Sequence, residues 1–370
     1  MSQRFKIQEF DKTENELLLD FYNKPVSSSG NINLVLDHSP DIWKSLTVEG
    51  YNNNIIAAID INVNKIVAAM ICSQKECFLN GQIQPVGYLS GLKVLPEYQG
   101  TIVTALLIKH FRKWWDNTKP VIWFFSVFND NKKSVRLFDK KNSVLPDIQV
   151  VGETNTYIFK KRYFPVGKYS SLIKVRKANR ADVSSIMQFI KEEGKYRAFL
   201  PDYNESDLID GKGLLNQFNI DNLVIAEVEN EIVGIMGIWY QSATRRWKVT
   251  SYSKKVRFFR PLINLGAKIF RMPELPTENS EIKYRILSLM LAKNDDSEIF
   301  KAMFNHIMRS EERNDGTYSI TIKKDNPLNG YFKKRSIQFS NSIYLTVQPE
   351  NRNLIENLNL RNLYIEQGGL

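Results

Sequence analysis

Apolar and polar positions along this chain change period in the same order twice. Ile55-Ile56-Ala57-Ala58 and Ile66-Val67-Ala68-Ala69-Met70 flank an Asn-containing turn, which is a hairpin signal. Leu223-Val224-Ile225-Ala226 and Ile232-Val233-Gly234-Ile235-Met236 repeat it around Asn230. Amphipathic helices are predicted around Glu14 to Tyr22 and around Asp182 to Glu193, each after a short strand, Lys6 to Phe10 and Lys174 to Ala178. Tyr88 to Val94 and a helix to Trp115 correspond to Tyr284 to Leu291 and a helix to Met308. Val121 to Val127 followed by Asp130-Asn131 corresponds to Thr317 to Ile322 followed by Asp325-Asn326. Thr154 to Phe159 corresponds to Ser340 to Leu345. Each half therefore reads β-α-β-β-β-α-β-α-β. Such alternation predicts a mixed α/β (α+β) fold with a central mixed sheet flanked by helices, built twice. The expected units are residues 1–163 and 174–348, with a linker at 164–173 and a tail at 349–370. Tyr163, Pro165, Gly167, Ser170 and Ser171 break both periods around that linker.

One turn carries candidate chemistry. Leu92-Lys93-Val94-Leu95-Pro96-Glu97-Tyr98-Gln99-Gly100-Thr101-Ile102-Val103-Thr104 reads as strand, loop and helix start. Pro96 ends the strand because it cannot donate to a ladder. Gly100 permits close approach of a ligand to the backbone. The first N–H groups of the following helix have no intrahelical partner, so the turn is suited to an anion such as a pyrophosphate. The turn resembles the acyl-CoA loop of the GCN5-related N-acetyltransferase (GNAT) superfamily, Val-x-Pro-x-x-(Arg/Gln)-Gly-x-Gly-x-(Gly/Ala). Val94, Pro96, Gln99 and Gly100 match. Ile102 replaces the central Gly and Thr104 the final Gly or Ala, and these β-branched residues narrow the cradle. The doubled order of elements extends the resemblance over nearly the whole chain, to tandem GNAT proteins.

The resemblance implies direct acyl transfer from an acyl-CoA, acetyl-CoA above all, to an amine. The pantetheine would lie between two splayed strands, against the backbone of Leu92 and Val94. The N–H groups of Gln99, Gly100, Thr101, Ile102, Val103 and Thr104 would hold the pyrophosphate. Asn131 matches the Asn that contacts the pantetheine arm, and it also reads as a helix N-cap. The Val94 N–H is the candidate oxyanion donor. Many members place a thiolate-protonating Tyr where this chain has Phe138, and where its second half has Phe332. Tyr88, Tyr98 or a water then remain open as substitutes. Glu97 is a candidate base and also reads as a solvated loop acid. N-myristoyltransferase-like relatives can place the chain's own end beside the acceptor, so the tail Tyr364 to Leu370 is a further candidate source of a carboxylate.

The halves differ at the turn. Its second-half counterpart, Ala292-Lys293-Asn294-Asp295-Asp296-Ser297-Glu298, lacks Gly and brings three carboxylates to the helix start. Those acids satisfy the helix dipole and repel a phosphate. The second half is therefore expected to be degenerate, without this CoA site. It is also about thirty residues longer, through an insert at 242–283. No acid occurs from Thr244 to Arg271, and Trp247, Tyr252, Phe258, Phe259 and Phe270 interleave with the basic residues. Pro261 is expected to open a short helix there. A basic face against a groove would make Arg257 and Arg260 contacts for an anionic ligand or acceptor. A solvated face, a membrane surface and a nucleic-acid patch are the other readings.

Composition narrows the field little further. The chain has 370 residues, 43% of them apolar and 25% charged. A net charge of +11 favours anionic partners, CoA among them, without a recognised nucleic-acid motif. Two cysteines and three histidines argue against a disulfide framework or a metal site. No apolar run reaches a membrane span and the N-terminus lacks a signal core, so a cytoplasmic protein is expected. The sequence thus points to an N-acetyltransferase acting on a small-molecule or peptide amine. The alternatives are a non-catalytic CoA-binding protein, or an aminoacyl- or peptidyl-transferase of the tandem type.

Overall fold

The computed structural model describes residues 4–25, 31–138, 148–161, 164, 167, 169–310 and 316–370. Tyr163 and Pro165 of the expected linker lie outside the described residues. The first half contributes β1 (Phe5–Phe10), β2 (Ile32–Asp37), β3 (Asn52–Asp60), β4 (Lys65–Leu79), β5 (Gln82–Val94), β6 (Ile122–Phe128) and β7 (Gln149–Lys160). The second contributes β8 (Lys174–Lys177), β9 (Leu223–Val228), β10 (Glu231–Trp239), β11 (Arg246–Tyr252), β12 (Ser280–Glu281), β13 (Arg285–Ala292), β14 (Thr317–Lys323) and β15 (Ser336–Val347).

Twelve of these strands form one sheet, in the order β1-β3-β4-β5-β6-β15-β7-β14-β13-β10-β9-β8. The two halves exchange their last strands. β15 lies beside β6 of the first half, β7 lies beside β14 of the second, and the exchanged strands pair antiparallel with each other. Ladder hydrogen bonds therefore run unbroken from one half into the other. The remaining strands make a small sheet, β12-β11-β2, in which the insert's β11 pairs with β2 of the first half.

Helices cover both faces. Val103–Trp115 buries Val103, Leu107, Ile108, Phe111 and Trp115, one stripe at helical spacing. Phe111 and Trp115 pack on Trp123 of β6, with centroids 5.1 and 6.2 Å away. Each such side chain, removed from water, contributes roughly 1.5–3 kcal/mol. On the opposite face, Leu18, Leu19, Phe21, Ile42 and Leu46 of two short helices pack on Ile55, Ala57 and Ile71. Both cysteines lie on β4 as buried free thiols. Among the described residues no helix is long and apolar enough to cross a membrane.

Next to β2 stands a buried histidine. His38 Nδ1 is 2.7 Å from Ser45 Oγ. Burial lowers its pKa to about 3, with Arg245 and Lys93 lowering it further and Asp37 opposing them. Because the folded pKa is depressed, the unfolded chain binds the extra proton below pH 6.5. Stability is therefore lost as pH falls through the window from 6.5 toward 3. Between pH 7 and pH 5 this one group is expected to remove about 2 kcal/mol. Urea unfolding at both pH values should show that slope in the native protein and its loss in His38→Gln. Equal slopes would mean that His38 is protonated within the fold.

Candidate functional site

Strands β5 and β6 meet only briefly. They pair in parallel at Val86–Ile122, Gly87–Trp123 and Tyr88–Phe124 and then separate, although β5 continues to Val94 and β6 to Phe128. A side chain at Gly87 would put its Cβ 2.0 Å from the Trp123 ring, so glycine is required for the close apex. Beyond it, a register shift opposite Met70 and a positive φ of 57° at Gly91 turn β5 away. The result is a V-shaped gap in the sheet, with Leu92 and Phe128 partly exposed on its two arms. Leu95 gives its N–H to Val67 of β4. By strand alternation the Val94 N–H faces away from β4, into the gap.

Beyond the open end of β5 the chain makes one tight turn, Pro96–Tyr98, and enters the helix Val103–Trp115. The N-cap residue Ile102 makes no side-chain bond to that helix, and Thr101 Oγ1 accepts a long bond from the Val103 N–H at 3.4 Å. Gly100 has φ +80°, and a Cβ there would meet nothing within 4 Å. Ile102, which the sequence places in the cradle, is 60% exposed and turned to solvent. Thr101 donates from Oγ1 to the Tyr98 carbonyl at 2.7 Å, and Gln99 from Nε2 to the Val94 carbonyl at 3.3 Å. Glu97 is exposed, Thr104 is half-buried and Val103 is buried in the core. Asn131 accepts from the Ser134 N–H at 3.2 Å, as a helix cap does. Phe138 packs on Phe125, with centroids 4.7 Å apart.

The two open tyrosine candidates separate. Tyr98 is buried with its hydroxyl donating to Asp60 at 3.0 Å, and its ring against Phe5. It therefore points toward β1 and β3, away from β6. Tyr88 lies at the apex, its ring 4.8 Å from that of Phe124. Burial pushes its phenol well above the ordinary range, so it holds its proton.

Around the apex lies a charged cluster absent from the sequence reading. Lys75 of β4 is buried, with Nζ 5.6 Å from the Tyr88 ring and 5.5 Å from the Phe124 ring. Among the described residues nothing accepts a hydrogen bond from it. Burial lowers its pKa below the ordinary lysine value. Nearby, the Glu49 carboxylate accepts from Arg245 at 2.7 Å, Ser90 at 2.5 Å and Ser73 at 3.3 Å. Arg245 also donates to the main-chain oxygen of Leu370, so the tail Tyr364 to Leu370 reaches this cluster. The signal for Lys75 was parity: it shares a strand face with Ser73 and Cys77, both buried. Glu49 and Arg245 carry no local signal, being 196 residues apart.

The second half forms the same V and fills it. β13 and β14 pair only at Arg285–Tyr318 and Ile286–Ser319. Into the gap fits the segment Tyr364 to Leu370. Glu366 accepts from the Leu289 N–H at 2.9 Å, and Gln367 donates to Ser319 Oγ at 2.5 Å. Gly368 lies so close to Trp239 that a Cβ would sit 2.2 Å from its ring. The corresponding turn is closed as well. Arg197, buried, bridges Asp295 and Glu193, and the Asp296 side chain accepts from the Glu298 N–H at 2.7 Å.

The insert departs from expectation. Its helix runs Lys254–Ile269 with Pro261 inside it rather than at its start. Ser253 Oγ already caps the Val256 N–H, which sets the start two turns earlier, and proline forfeits only one backbone bond. Arg257 pairs with Glu278 at 2.8 Å and Arg260 donates to the Pro276 carbonyl at 2.7 Å, both within the insert itself.

Among the described residues no group of His, Cys, Asp and Glu is arranged to hold a metal ion. No family model and no curated protein matches the sequence. In structure the chain is similar to Saccharomyces cerevisiae N-myristoyltransferase with bound myristoyl-CoA and inhibitors. That likeness has TM-score 0.59 and 11% identity, over 99% of this chain and 87% of that one. A further structure of the yeast enzyme with myristoyl-CoA gives TM-score 0.56 and 12% identity, over 94% and 83%. A conserved Enterococcus faecalis protein described as a probable N-acyltransferase gives TM-score 0.50 and 9% identity, over 93% and 73%. Identities this low speak for the fold alone. The two halves of this chain together share their fold, over nearly their whole length, with N-myristoyltransferase.

Proposed function

We propose that this chain is an acyl-CoA-dependent N-acyltransferase that works in the cleft of its first half. One observation carries the reading. Of two equivalent V-shaped gaps, that between β5 and β6 opens onto a helix start held only by the long Thr101 bond and onto a free Gly100, whereas that between β13 and β14 is filled by Tyr364 to Leu370. The pantetheine would add to β5 along Leu92 and Val94. The turn from Gln99 to Thr104 would face the pyrophosphate, with Asn131 beside the arm. The Val94 N–H would hold the thioester oxygen as charge develops on it.

The attacking amine must be neutral. Lys75, buried at the apex with a lowered pKa, is the proton acceptor we assign, in preference to the exposed Glu97. The Tyr88 phenol would stabilise the departing thiolate by hydrogen bonding, since its raised pKa makes it a poor source of a free proton. A short acyl group, acetyl in the simplest case, suits an apex closed by Tyr88, Phe124 and Phe199 in ring contact. The acceptor is a small-molecule or peptide amine. CoA binding without thiol release, across a panel of amines, would favour the non-catalytic reading instead.

Gly100 tests the site. Gly100→Ala meets no atom and costs only the backbone strain of a positive φ. Gly100→Asp adds a charge beside the phosphates, worth roughly 1–4 kcal/mol at surface-like dielectric. Calorimetry with acetyl-CoA and myristoyl-CoA should therefore show a small loss for Ala and at least about a fivefold loss for Asp. Asp296→Gly should leave affinity unchanged. Equal affinity of Gly100→Asp and native protein would move the site elsewhere.

A further inference from the structure

The insert's helix is amphipathic in the reverse sense to an ordinary surface helix. No residue of Lys254–Ile269 is buried. Its inward side carries Val256 and Ala267 and is held by polar bonds: Asn264 exchanges two hydrogen bonds with the Leu275 backbone, at 3.0 and 2.8 Å, and Arg260 reaches the Pro276 carbonyl. Its outward face is apolar. Phe258, Leu262, Leu265 and Ile269 follow one another at spacings of four, three and four residues, and each is between 57 and 78% exposed. Phe270, just past the helix end, is 75% exposed and extends the same surface. A helix that folds only to complete a core turns such a stripe inward. This one is fixed by hydrogen bonds on the wrong side for that purpose.

We propose that this helix docks the protein on an anionic lipid bilayer. Charge selects the occupant. Lys254 and Lys255 flank the start of the apolar stripe and Arg271 its end, while Arg257 and Lys268 on one border are ion-paired with Glu278 and Glu274. No acid interrupts the sequence from Thr244 to Arg271. An apolar stripe rimmed by cations is what an interfacial helix presents to acyl chains and acidic headgroups. A second copy of this chain is a poor partner, because a two-fold contact through the stripe would bring two cationic rims together. The helix follows β11, which begins next to Arg245 of the apex cluster, so the docked element is tied by one strand to the cleft.

The test is co-sedimentation of the full chain with vesicles of phosphatidylcholine alone and of phosphatidylcholine mixed with phosphatidylglycerol. Binding is expected to the mixed vesicles and to weaken as salt is raised. Leu262→Asp with Ile269→Asp should weaken it by about tenfold or more, with the thermal unfolding curve unchanged because both side chains are exposed. Lys255→Glu with Lys268→Glu should weaken binding to the mixed vesicles specifically. Three results would overturn the proposal. One is failure of the native protein to bind mixed vesicles, and another is equal binding to neutral ones. The third is a dimer in sedimentation velocity that the aspartate pair dissolves, which would make the stripe a contact between copies. A tRNA probe lost only with the lysine changes, in a protein that ignores vesicles, would assign the basic rim to nucleic acid.

Discussion

Arg245→Met is expected to lower stability by about 3–5 kcal/mol, because it leaves the Glu49 carboxylate charged and buried without its cation. The side chains of Arg245 and Glu49 are 5 and 1% exposed, with 2.7 Å between them. Ser90 and Ser73 donate to the other carboxylate oxygen and do not replace a charge. Adding Glu49→Gln removes the second charge and keeps the acceptor for the serines. The pair Arg245→Met and Glu49→Gln should therefore recover most of the loss, a coupling that denaturant unfolding of the three variants would read. A loss under 1 kcal/mol for Arg245→Met, or simple addition in the double variant, would show that water or another group already compensates Glu49. The contact matters beyond its energy. It joins a residue at the root of the insert to a loop of the first half, so it ties the two repeats together on the side of the cleft.

The repeat itself was legible because every block in it is set by local pattern. Alternation marks β3 with β4 and β9 with β10, and the apolar stripe of Val103–Trp115 marks its helix. The exchange of β7 and β15 was not legible. Both strands alternate and either half could receive either one, so the choice depends on contacts between residues 177 to 225 positions apart. β2 escaped for a related reason, since its partner β11 comes from the distant insert. In the cleft, the Gly100 turn was readable because its chemistry is local. Lys75 carries no such local chemistry, because a lysine in a strand reads as a solvent-facing position. The sequence marks the helix of the insert as basic and aromatic. Which face it turns outward follows from hydrogen bonds to the loop carrying Leu275, Pro276 and Glu278, and no periodicity encodes them.

Lys75→Met separates a functional lysine from a structural one, because the two roles predict opposite signs in stability. The folded-state pKa of Lys75 is lowered by burial, so at neutral pH the fold carries the cost of holding it charged or of giving up its proton. That cost fades as pH rises toward the unfolded lysine value near 10.4, where the unfolded chain also loses the proton. Methionine has similar length and no charge. The variant should be more stable than the native protein at pH 7, by about 1–2 kcal/mol, with the difference shrinking as pH is raised. Turnover should move the other way. Thiol release from acetyl-CoA in the presence of an accepted amine should fall at least about a hundredfold, with loss of the acidic limb of the pH–rate profile and unchanged CoA affinity. The cation–π contacts to Tyr88 and Phe124 offset part of the burial cost and reduce the stability gain without reversing it. A less stable variant with intact turnover would make Lys75 a packing residue of the apex, and the proton would then have to leave through Glu49 or through water.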